Sequence, residues 1–282
     1  MYNVGKSKRL KRIFSHDSGK IVVVPLDDSL LAGPSNGLND LKSKTEKIIS
    51  AAPNAIIGFQ GLIRNFAELI GHTPNILNIT ASTTKSIHTR KVVVGSVELA
   101  VRLDAEAVAV HVNISSKYES EMLKIMGEVS QECERYGMPL MGIMYPRTEN
   151  PDGTDNNYYD LKKDNVKKYA ELIAHSARVG VELGANIIKT QYTGNPDSFA
   201  MVVEACKPIP IVIAGGPPVS LKEMLVNAQG AMIAGAAGIS YGRNIFTRDN
   251  PEPYINAIKE IVLNKKSVEE AEELFNQLIS KT

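Results

Sequence analysis

Eight short apolar segments, spaced along the chain with helix-like sequence between them, constrain the fold most strongly. They are IVVVPL (21–26), AIIGF (55–59), ILNIT (76–80), AVAVHV (107–112), PLMGIM (139–144), NIIK (186–189), PIVIAG (210–215) and GISYG (238–242). Most are rich in Val and Ile and are continuously apolar rather than alternating. That pattern is typical of parallel strands that are buried on both faces.

The segments between these strands carry the periodicity of helices. In ESEMLKIMGEVSQECERYG (119–137) apolar residues recur at helical spacing, and Gly137 is suited to end the helix. Eight such units within 282 residues, with no Gly/Ser-rich or Pro-rich linker, predict an α/β fold, a single (β/α)8 TIM barrel occupying residues 1–282 as one domain. A doubly wound open sheet is the alternative, but no G-x-G-x-x-G follows the first strand.

Both ends of the chain are predicted to be helical. A short amphipathic helix is expected at about 5–14, with Leu10, Ile13 and Phe14 on its apolar side. A second helix is expected at about 267–280, where Ser267 and Glu270 stand in capping-box register. Its apolar stripe fits either packing on the barrel or contact with another subunit.

Composition excludes several classes of function. The formal net charge is +1, from 32 basic and 31 acidic residues, so no bulk field attracts nucleic acid or an anionic membrane. Trp is absent and aromatic residues make up 6% of the chain, which disfavours base stacking. Cys133 and Cys206 lack metal or redox spacing, so reduced thiols in a cytoplasmic protein are expected, with neither a signal peptide nor a transmembrane span.

Polar residues follow most of the predicted strands. In a (β/α)8 barrel the C-terminal strand ends form one rim, where active sites lie. The candidates at that rim are Asp27 and Asp28 after the first strand, His111 in the fourth, Tyr145 and Arg147 after the fifth, Lys189 in the sixth, Gly215 and Gly216 after the seventh, and Gly242 and Arg243 after the eighth. So many polar groups at one rim indicate a catalytic site.

Lys189 ends an apolar strand, ANIIK, where an ammonium group is costly. Desolvation lowers a lysine pKa, and the neutral amine then attacks a carbonyl to form a Schiff base. Tyr145 and Asp27 are the expected proton-transfer groups. The structural alternatives are a lysine that reaches solvent or pairs with a carboxylate, a core tyrosine and a capping aspartate. Because neighbouring strand residues face opposite ways, Asp27 and Asp28 face the same side only if the strand has ended.

The glycines after the seventh and eighth strands predict a phosphate site. Gly215, Gly216 and Gly242 let backbone N–H groups approach an anion, and Arg243 adds a bidentate contact. The alternative is a set of turn glycines with a surface arginine. His111 is read either as a core imidazole or as a substrate contact. No His, Cys or Asp cluster has metal-ligand spacing, so an imine mechanism without metal or cofactor is expected.

Several stretches are similar to a known family. KTQYTGNPDSF, VIAGGPP, YGRNIFTRDNP and VPLDDSLLAGPSNGL resemble the DhnA-type class I aldolases, and VHVNIS and MYPR most resemble their heptulosonate synthase branch. The resemblance covers nearly the whole chain. It implies Lys189 as the Schiff-base lysine, Tyr145 as the proton-transfer residue, Asp27 as the acid/base aspartate, and phosphate binding at the glycine loops. It also implies a homo-oligomer, often a decamer.

The chain departs from the family pattern at three places. Asp27-Asp28-Ser29 stands where the family usually has Asp-His-Gly, Thr148 stands where the heptulosonate branch has Gly, and GGPP replaces GGPK. The Schiff-base residues are intact, so the resemblance still implies the reaction type. The departures bear on the substrate, because they change charge beside the reacting carbons and near the phosphate loop.

These observations lead us to expect a class I aldolase or transaldolase acting on a phosphorylated ketose or ketone. The acceptor is expected to enter over the rim near Asp28, His111 and Arg147, and the resemblance implies that it is aspartate semialdehyde. A dihydroxyacetone phosphate-dependent aldolase (an aminohydroxybenzoate-precursor synthase or a fructose-bisphosphate aldolase), a thiolase-like relative and a non-catalytic sugar-phosphate-binding protein are the alternatives. The polar loop 148–160 is expected to close over the acceptor.

Overall fold

The computed structural model describes residues 3–34 and 37–280. Ser35 and Asn36, which belong to the first-strand motif quoted above, lie outside the described residues. All eight apolar segments form strands: β1 (Ile21–Pro25), β2 (Ala55–Gly58), β3 (Asn75–Asn78), β4 (Ala107–Ile114), β5 (Leu140–Pro146), β6 (Ile187–Gln191), β7 (Ile211–Ala214) and β8 (Gly238–Ser240). Each pairs in parallel with its neighbour in sequence, and β8 pairs with β1. The (β/α)8 barrel is therefore confirmed and the open sheet was the wrong alternative.

Helices surround the barrel. Those in the described residues are α1 (Val4–Ile13), α2 (Asp28–Ala32), α3 (Leu41–Ser50), α4 (Gln60–Asn65), α5 (Ala67–Ile70), α6 (Val97–Arg102), α7 (Glu119–Tyr136), α8 (Tyr159–Asp164), α9 (Val166–Glu182), α10 (Pro196–Cys206), α11 (Leu221–Ile233), α12 (Arg243–Phe246), α13 (Glu252–Val262) and α14 (Val268–Ile279). Gly137 ends α7 in the left-handed conformation, with φ of 61°. Two short antiparallel pairs, Thr80–Ala81 with Val92–Val93 and Thr148–Glu149 with Asp155–Asn156, stand above the rim.

The barrel interior changes from apolar to polar along its axis. Inward-facing side chains form an apolar lower layer with Ile13 of α1: Ile21, Val23, Ala55, Ile57, Ile76, Ala107, Ala109, Met141, Ile143, Ile187 and Val212. Strand side chains alternate with a period of two, so the same inward rows continue upward. His111 therefore follows Ala109, Tyr145 follows Ile143 and Lys189 follows Ile187. The strand register thus places these three polar side chains at the upper end of one interior.

The C-terminal helix α14 packs on the outside of the barrel. Val268 and Ala271 are buried, and the Phe275 ring lies 4.7 Å from the Tyr254 ring of α13 in an edge-to-face arrangement. Ser267 and Glu270 form the expected capping box. Part of the apolar stripe of this helix is therefore used within the chain.

Two findings bear on the expectations from composition. Cys133 and Cys206 are free, buried thiols, and burial raises the pKa of each to about 12. None of the helices in the described ranges is both long and apolar enough to cross a membrane.

Candidate active site

A cavity of about 370 Å³ opens at the C-terminal end of the barrel. All the predicted site residues line it: Asp27, Asp28, His111, Tyr145, Arg147, Lys189, Gly215, Gly216, Gly242 and Arg243. They come from six different strands and the loops that follow them. Within the described ranges, no group of three His, Cys, Asp or Glu side chains is arranged as metal ligands would be.

Lys189 lies at the base of this cavity, between Ile143 of β5 and Val212 of β7 in the strand register. The residue is 7% exposed, and among the described residues its Nζ makes neither a hydrogen bond nor an ion pair. Burial lowers the pKa of Lys189, while the charges of Asp27 and Asp28 oppose that change. A buried, unpaired amine with a lowered pKa is suited to nucleophilic attack on a carbonyl.

Asp27 and Asp28 both line the cavity. The alternation of a regular strand does not apply to them, because β1 ends at Pro25 and α2 begins at Asp28. Asp27 Oδ2 accepts a hydrogen bond of 2.8 Å from Asn78 Nδ2. Burial and the neighbouring Asp27 charge raise the pKa of Asp28, whose Oδ2 lies 3.8 Å from Arg243 Nε. Two carboxylates thus share one cavity with Lys189.

Tyr145 and His111 contact each other edge to face, with ring centroids 5.0 Å apart. Burial raises the pKa of the Tyr145 phenol, so the hydroxyl keeps its proton. Burial, with the positive charges of Lys91 and Arg147, lowers the pKa of His111 well below its usual value. His111 Nε2 lies 3.0 Å from Asn113 Oδ1. His111 is therefore a hydrogen-bonded, neutral imidazole that also faces the cavity.

The glycine loops after β7 and β8 are tied together by Asn244, which is 1% exposed. Asn244 Nδ2 donates to the carbonyl oxygens of Gly215 (2.8 Å) and Pro217 (3.2 Å), and Asn244 Oδ1 accepts from Val219 N (2.9 Å). A Cβ at position 215 would lie 2.9 Å from Asn244 Nδ2, too close for another residue. Gly216 has a φ of +66°, in the left-handed region that glycine adopts more easily than other residues. The sequence analysis assigned no role to Asn244, although it stands within the motif YGRNIFTRDNP.

The segment 148–160 forms part of the cavity wall and contributes Asp155, Asn157 and Tyr159. Arg147 Nε donates to Asn157 Oδ1 (2.8 Å), and Arg147 Nη1 lies 3.7 Å from Asp155 Oδ2. Glu149 accepts hydrogen bonds from Thr89 Oγ1 and from Ser116 Oγ (3.0 Å). The segment thus contacts the β3–β4 loop. Its closure over an acceptor stays a prediction.

Another buried lysine, Lys91, lies near the cavity and was not identified by the sequence analysis. It is 2% exposed, and its Nζ donates to Ser82 Oγ at 2.6 Å. Ser82 Oγ lies 3.1 Å from Nδ1 of His88, and His88 lines the cavity. The signal was present in KVVVG (91–95), since a lysine beside a run of valines raises the same question as Lys189.

Comparison with known proteins gives consistent matches. A model of the DeoC/LacD family of aldolases matches residues 21–248. The chain is 34% identical over 280 residues to 2-amino-3,7-dideoxy-D-threo-hept-6-ulosonate synthase 1 of Archaeoglobus fulgidus, covering 99% of this chain and 98% of the relative. It is 32% identical over 262 residues to 2-amino-4,5-dihydroxy-6-oxo-7-(phosphonooxy)heptanoate synthase of Streptomyces griseus, covering 92% and 90%.

A solved structure resembles this one closely. It is an archaeal fructose-1,6-bisphosphate aldolase with its catalytic lysine covalently bound to the carbinolamine intermediate of the substrate. The TM-score is 0.79 at 26% sequence identity, over 92% of this chain and 99% of that chain.

Proposed function

This chain belongs to the DeoC/LacD family of aldolases, and from that premise we propose that its Lys189 forms an imine with a phosphorylated ketose or ketone, which then reacts with aspartate semialdehyde. The expected family and enzyme class are confirmed. The protein is a class I aldolase, which uses a covalent Schiff base on a lysine and no separate cofactor. Which lysine and which substrates it uses are our proposal.

The burial of Lys189 at the base of the cavity, without a partner among the described residues, carries the proposal. Its amine attacks the donor carbonyl, and loss of water gives the protonated imine. The imine withdraws electrons from the neighbouring carbon, so that carbon loses a proton and becomes the nucleophile for C–C bond formation. Asp27 and Asp28 stabilise the positive charge that develops on the nitrogen, because their carboxylates already favour the cationic form of Lys189.

Tyr145 and Asp27 are proposed to move the protons. Tyr145 keeps its hydroxyl proton, so it can give that proton to the hydroxyl group that leaves the carbinolamine as water. The resulting phenolate then takes the proton from the carbon beside the imine, which restores the Tyr145 hydroxyl. Asp27 lines the same cavity and is oriented by the hydrogen bond from Asn78. We assign to it the proton of the aldol hydroxyl group.

The donor phosphate is proposed to bind at Gly215, Gly216, Gly242 and Arg243. The bonds of Asn244 hold the two glycine loops beside each other, and the Arg243 side chain lies at the cavity edge, half exposed. A bidentate guanidinium contact and backbone N–H groups are the usual means of binding phosphate oxygens. The acceptor is then placed in the same cavity, near Asp28, His111 and Arg147.

A second candidate differs in the donor. The Streptomyces griseus relative is named for a product that carries a phosphonooxy group, and it matches this chain almost as well as the Archaeoglobus protein. A dihydroxyacetone phosphate donor with the same acceptor is therefore the alternative.

Borohydride trapping tests the proposal and separates these donors. Dihydroxyacetone phosphate, fructose 1,6-bisphosphate and a 6-deoxy-5-ketofructose phosphate are offered separately, and the reduced adduct is located by peptide mass spectrometry. We expect an adduct on Lys189, none on that peptide in Lys189→Met, and undiminished trapping in Lys85→Met, which alters an exposed lysine. The donor that gives most adduct identifies the branch. Adduct formation that persists in folded Lys189→Met would contradict the assignment.

We also propose that the chain is a homo-oligomer, as the resemblance implies. The exposed apolar residues Ile87, Val92, Val93 and Val94 are grouped in the β3–β4 segment, which suits a buried contact between subunits. Light scattering coupled to size exclusion measures the mass, and a monomer at micromolar concentration would contradict this proposal. The cytoplasmic location stays a prediction.

A further inference from the structure

A row of polar groups runs from the protein interior to the cavity in the β3–β4 loop. Lys91 Nζ lies 2.6 Å from Ser82 Oγ, and Ser82 Oγ lies 3.1 Å from His88 Nδ1. Lys91 Nζ is itself 3.5 Å from the same Nδ1. Among the described residues, no carboxylate forms an ion pair with Lys91. Burying an ammonium without a carboxylate partner is costly, so the position needs a reason.

Opposite charges stand at the two ends of the His88 ring. The Lys91 ammonium lies beside Nδ1, and Asp155 Oδ2 lies 3.9 Å from Nε2. A cation favours a lone pair on the near nitrogen, and a carboxylate favours a hydrogen on it. Both charges therefore favour the tautomer with hydrogen on Nε2. The Ser82 hydroxyl is also within reach of the His88 carbonyl oxygen (2.8 Å), but the effect of the two charges does not depend on which acceptor it chooses.

The imidazole stays neutral in this environment. Burial lowers the pKa of His88 to about 3, and the positive charges of Lys91, Arg147 and Arg243 add to that effect. A neutral imidazole keeps a single N–H, and here that N–H is on the side of the ring near Asp155, which lines the cavity together with His88. At 3.9 Å the Asp155 carboxylate is beyond hydrogen-bond distance, so the N–H remains available to a substrate.

We propose that His88 is a further catalytic residue of the acceptor side, donating its Nε2–H to the carbonyl oxygen of the acceptor aldehyde. Lys91, acting through Ser82, is the positioning residue that keeps the hydrogen on Nε2. As the donor carbon attacks the aldehyde carbon, negative charge develops on that oxygen, and the N–H stabilises it. This inference rests on the proposed aldol reaction, and Asp27 retains the proton transfer assigned to it above.

Lys91 makes this arrangement sensitive to pH. Burial and Arg147 lower the pKa of Lys91 to about 7, against the opposing charges of Asp155, Asp27 and Asp28. The ammonium is present below that pH and is lost above it, so the bias toward Nε2–H weakens as pH rises. The acceptor step should therefore slow above about pH 7, whereas imine formation on Lys189 needs no contribution from His88.

The test compares the two half-reactions in four variants. In His88→Leu we expect kcat/KM for the acceptor to fall about 10²–10³-fold, as for loss of one donor to a developing oxyanion, with donor trapping unchanged. His88→Gln, which retains an amide N–H, should recover most of that loss. In Lys91→Met the acceptor rate should no longer decline above pH 7, and in Ser82→Ala that decline should be smaller. Lys85→Met, in the same loop but exposed, serves as control.

Three results would overturn the inference. These are an acceptor rate in His88→Leu within twofold of the original, donor trapping that falls in parallel with the acceptor rate, and a decline above pH 7 that persists in both Lys91→Met and Ser82→Ala. If the unsubstituted protein traps no donor, both the proposed function and this inference are overturned. Normal trapping with an unaffected acceptor step overturns this inference alone.

Discussion

At the scale of single residues, the pKa of Lys189 is set by opposing neighbours. Burial and Arg243 lower it, while Asp27 and Asp28 raise it. Asp28 is also the residue at which the chain departs from the family pattern in its first-strand motif. The charge at position 28 therefore acts directly on Lys189, the proposed nucleophile, which makes this position the place to test the electrostatics of the site.

Charge removal on the two sides of Lys189 should shift imine formation in opposite directions. Asp28→Asn removes a charge that stabilises the ammonium, so the pKa of Lys189 falls further and the amine is available at lower pH. Arg243→Gln removes a cation, so the pKa rises and the profile moves to higher pH. The measurement is the rate of borohydride trapping at saturating donor as a function of pH. Shifts of the same sign in both variants would contradict the assignment of Lys189 as nucleophile.

At the scale of elements, the two glycine loops depend on one side chain that belongs to α12. Asn244 connects the loop after β7 to the loop after β8 with three hydrogen bonds, all of them to backbone groups. Buried backbone N–H and C=O groups need hydrogen-bond partners. The loops that we assign to the phosphate are therefore held by Asn244, which itself does not line the cavity.

Asn244→Ala should lower the free energy of unfolding by about 1–3 kcal/mol, because buried backbone groups lose their partners. The substitution should also weaken binding of the donor, so that a higher donor concentration is needed for half-maximal trapping. Urea unfolding and donor titration measure the two effects. Asn276→Ala, on the exposed side of α14, is the matched control and should change neither. Loss of stability without any change for the donor would separate Asn244 from the phosphate site.

The sequence predicts the barrel strands, and the candidate site residues on them, much better than it predicts the positions of the loop residues. Continuous apolar runs locate β1 to β8, and strand ends then locate Lys189 and Tyr145 at the rim. The joint orientation of Asp27 and Asp28 depended on where β1 stops, which a local pattern does not show. Asp155 lies on one of the short antiparallel pairs above the rim, and Lys91 directly precedes a strand of the other pair. The positions of Lys91 and Asp155 depend on contacts between loops that are distant in sequence, and hydrophobic periodicity does not predict such contacts.

At the scale of the whole molecule, the apolar packing and the proposed active site occupy opposite ends of the barrel. Ile13 of α1 is fully buried in the apolar lower layer, and Leu10 and Phe14 pack against that layer. The polar groups occupy the upper layer, beyond Ile143. A change at the lower end should therefore affect folding without altering the reactivity of Lys189.

Ile13→Ala should lower the free energy of unfolding by about 2–5 kcal/mol, through lost burial and the cavity that remains. The amount of donor trapped per folded molecule should stay the same. Denaturant unfolding and trapping on the folded fraction provide the two numbers, and Val4→Ala, at an exposed position of α1, is the control. Reduced trapping per folded molecule would show that the two ends are coupled.

The bonds from Glu149 to Thr89 and Ser116 have a consequence for how new substrates are acquired. The bond to Thr89 joins the segment after β5 to the segment after β3, and these two segments supply Asp155 and His88. The bond to Ser116 joins the segment after β5 to the loop after β4. Replacing the segment after β3 or the segment after β5 alone, by recombination or by design, would remove the hydrogen bond between Thr89 and Glu149. The segments after β3 and after β5 are therefore expected to be exchanged together when the acceptor changes. The residues proposed to form the imine would stay the same.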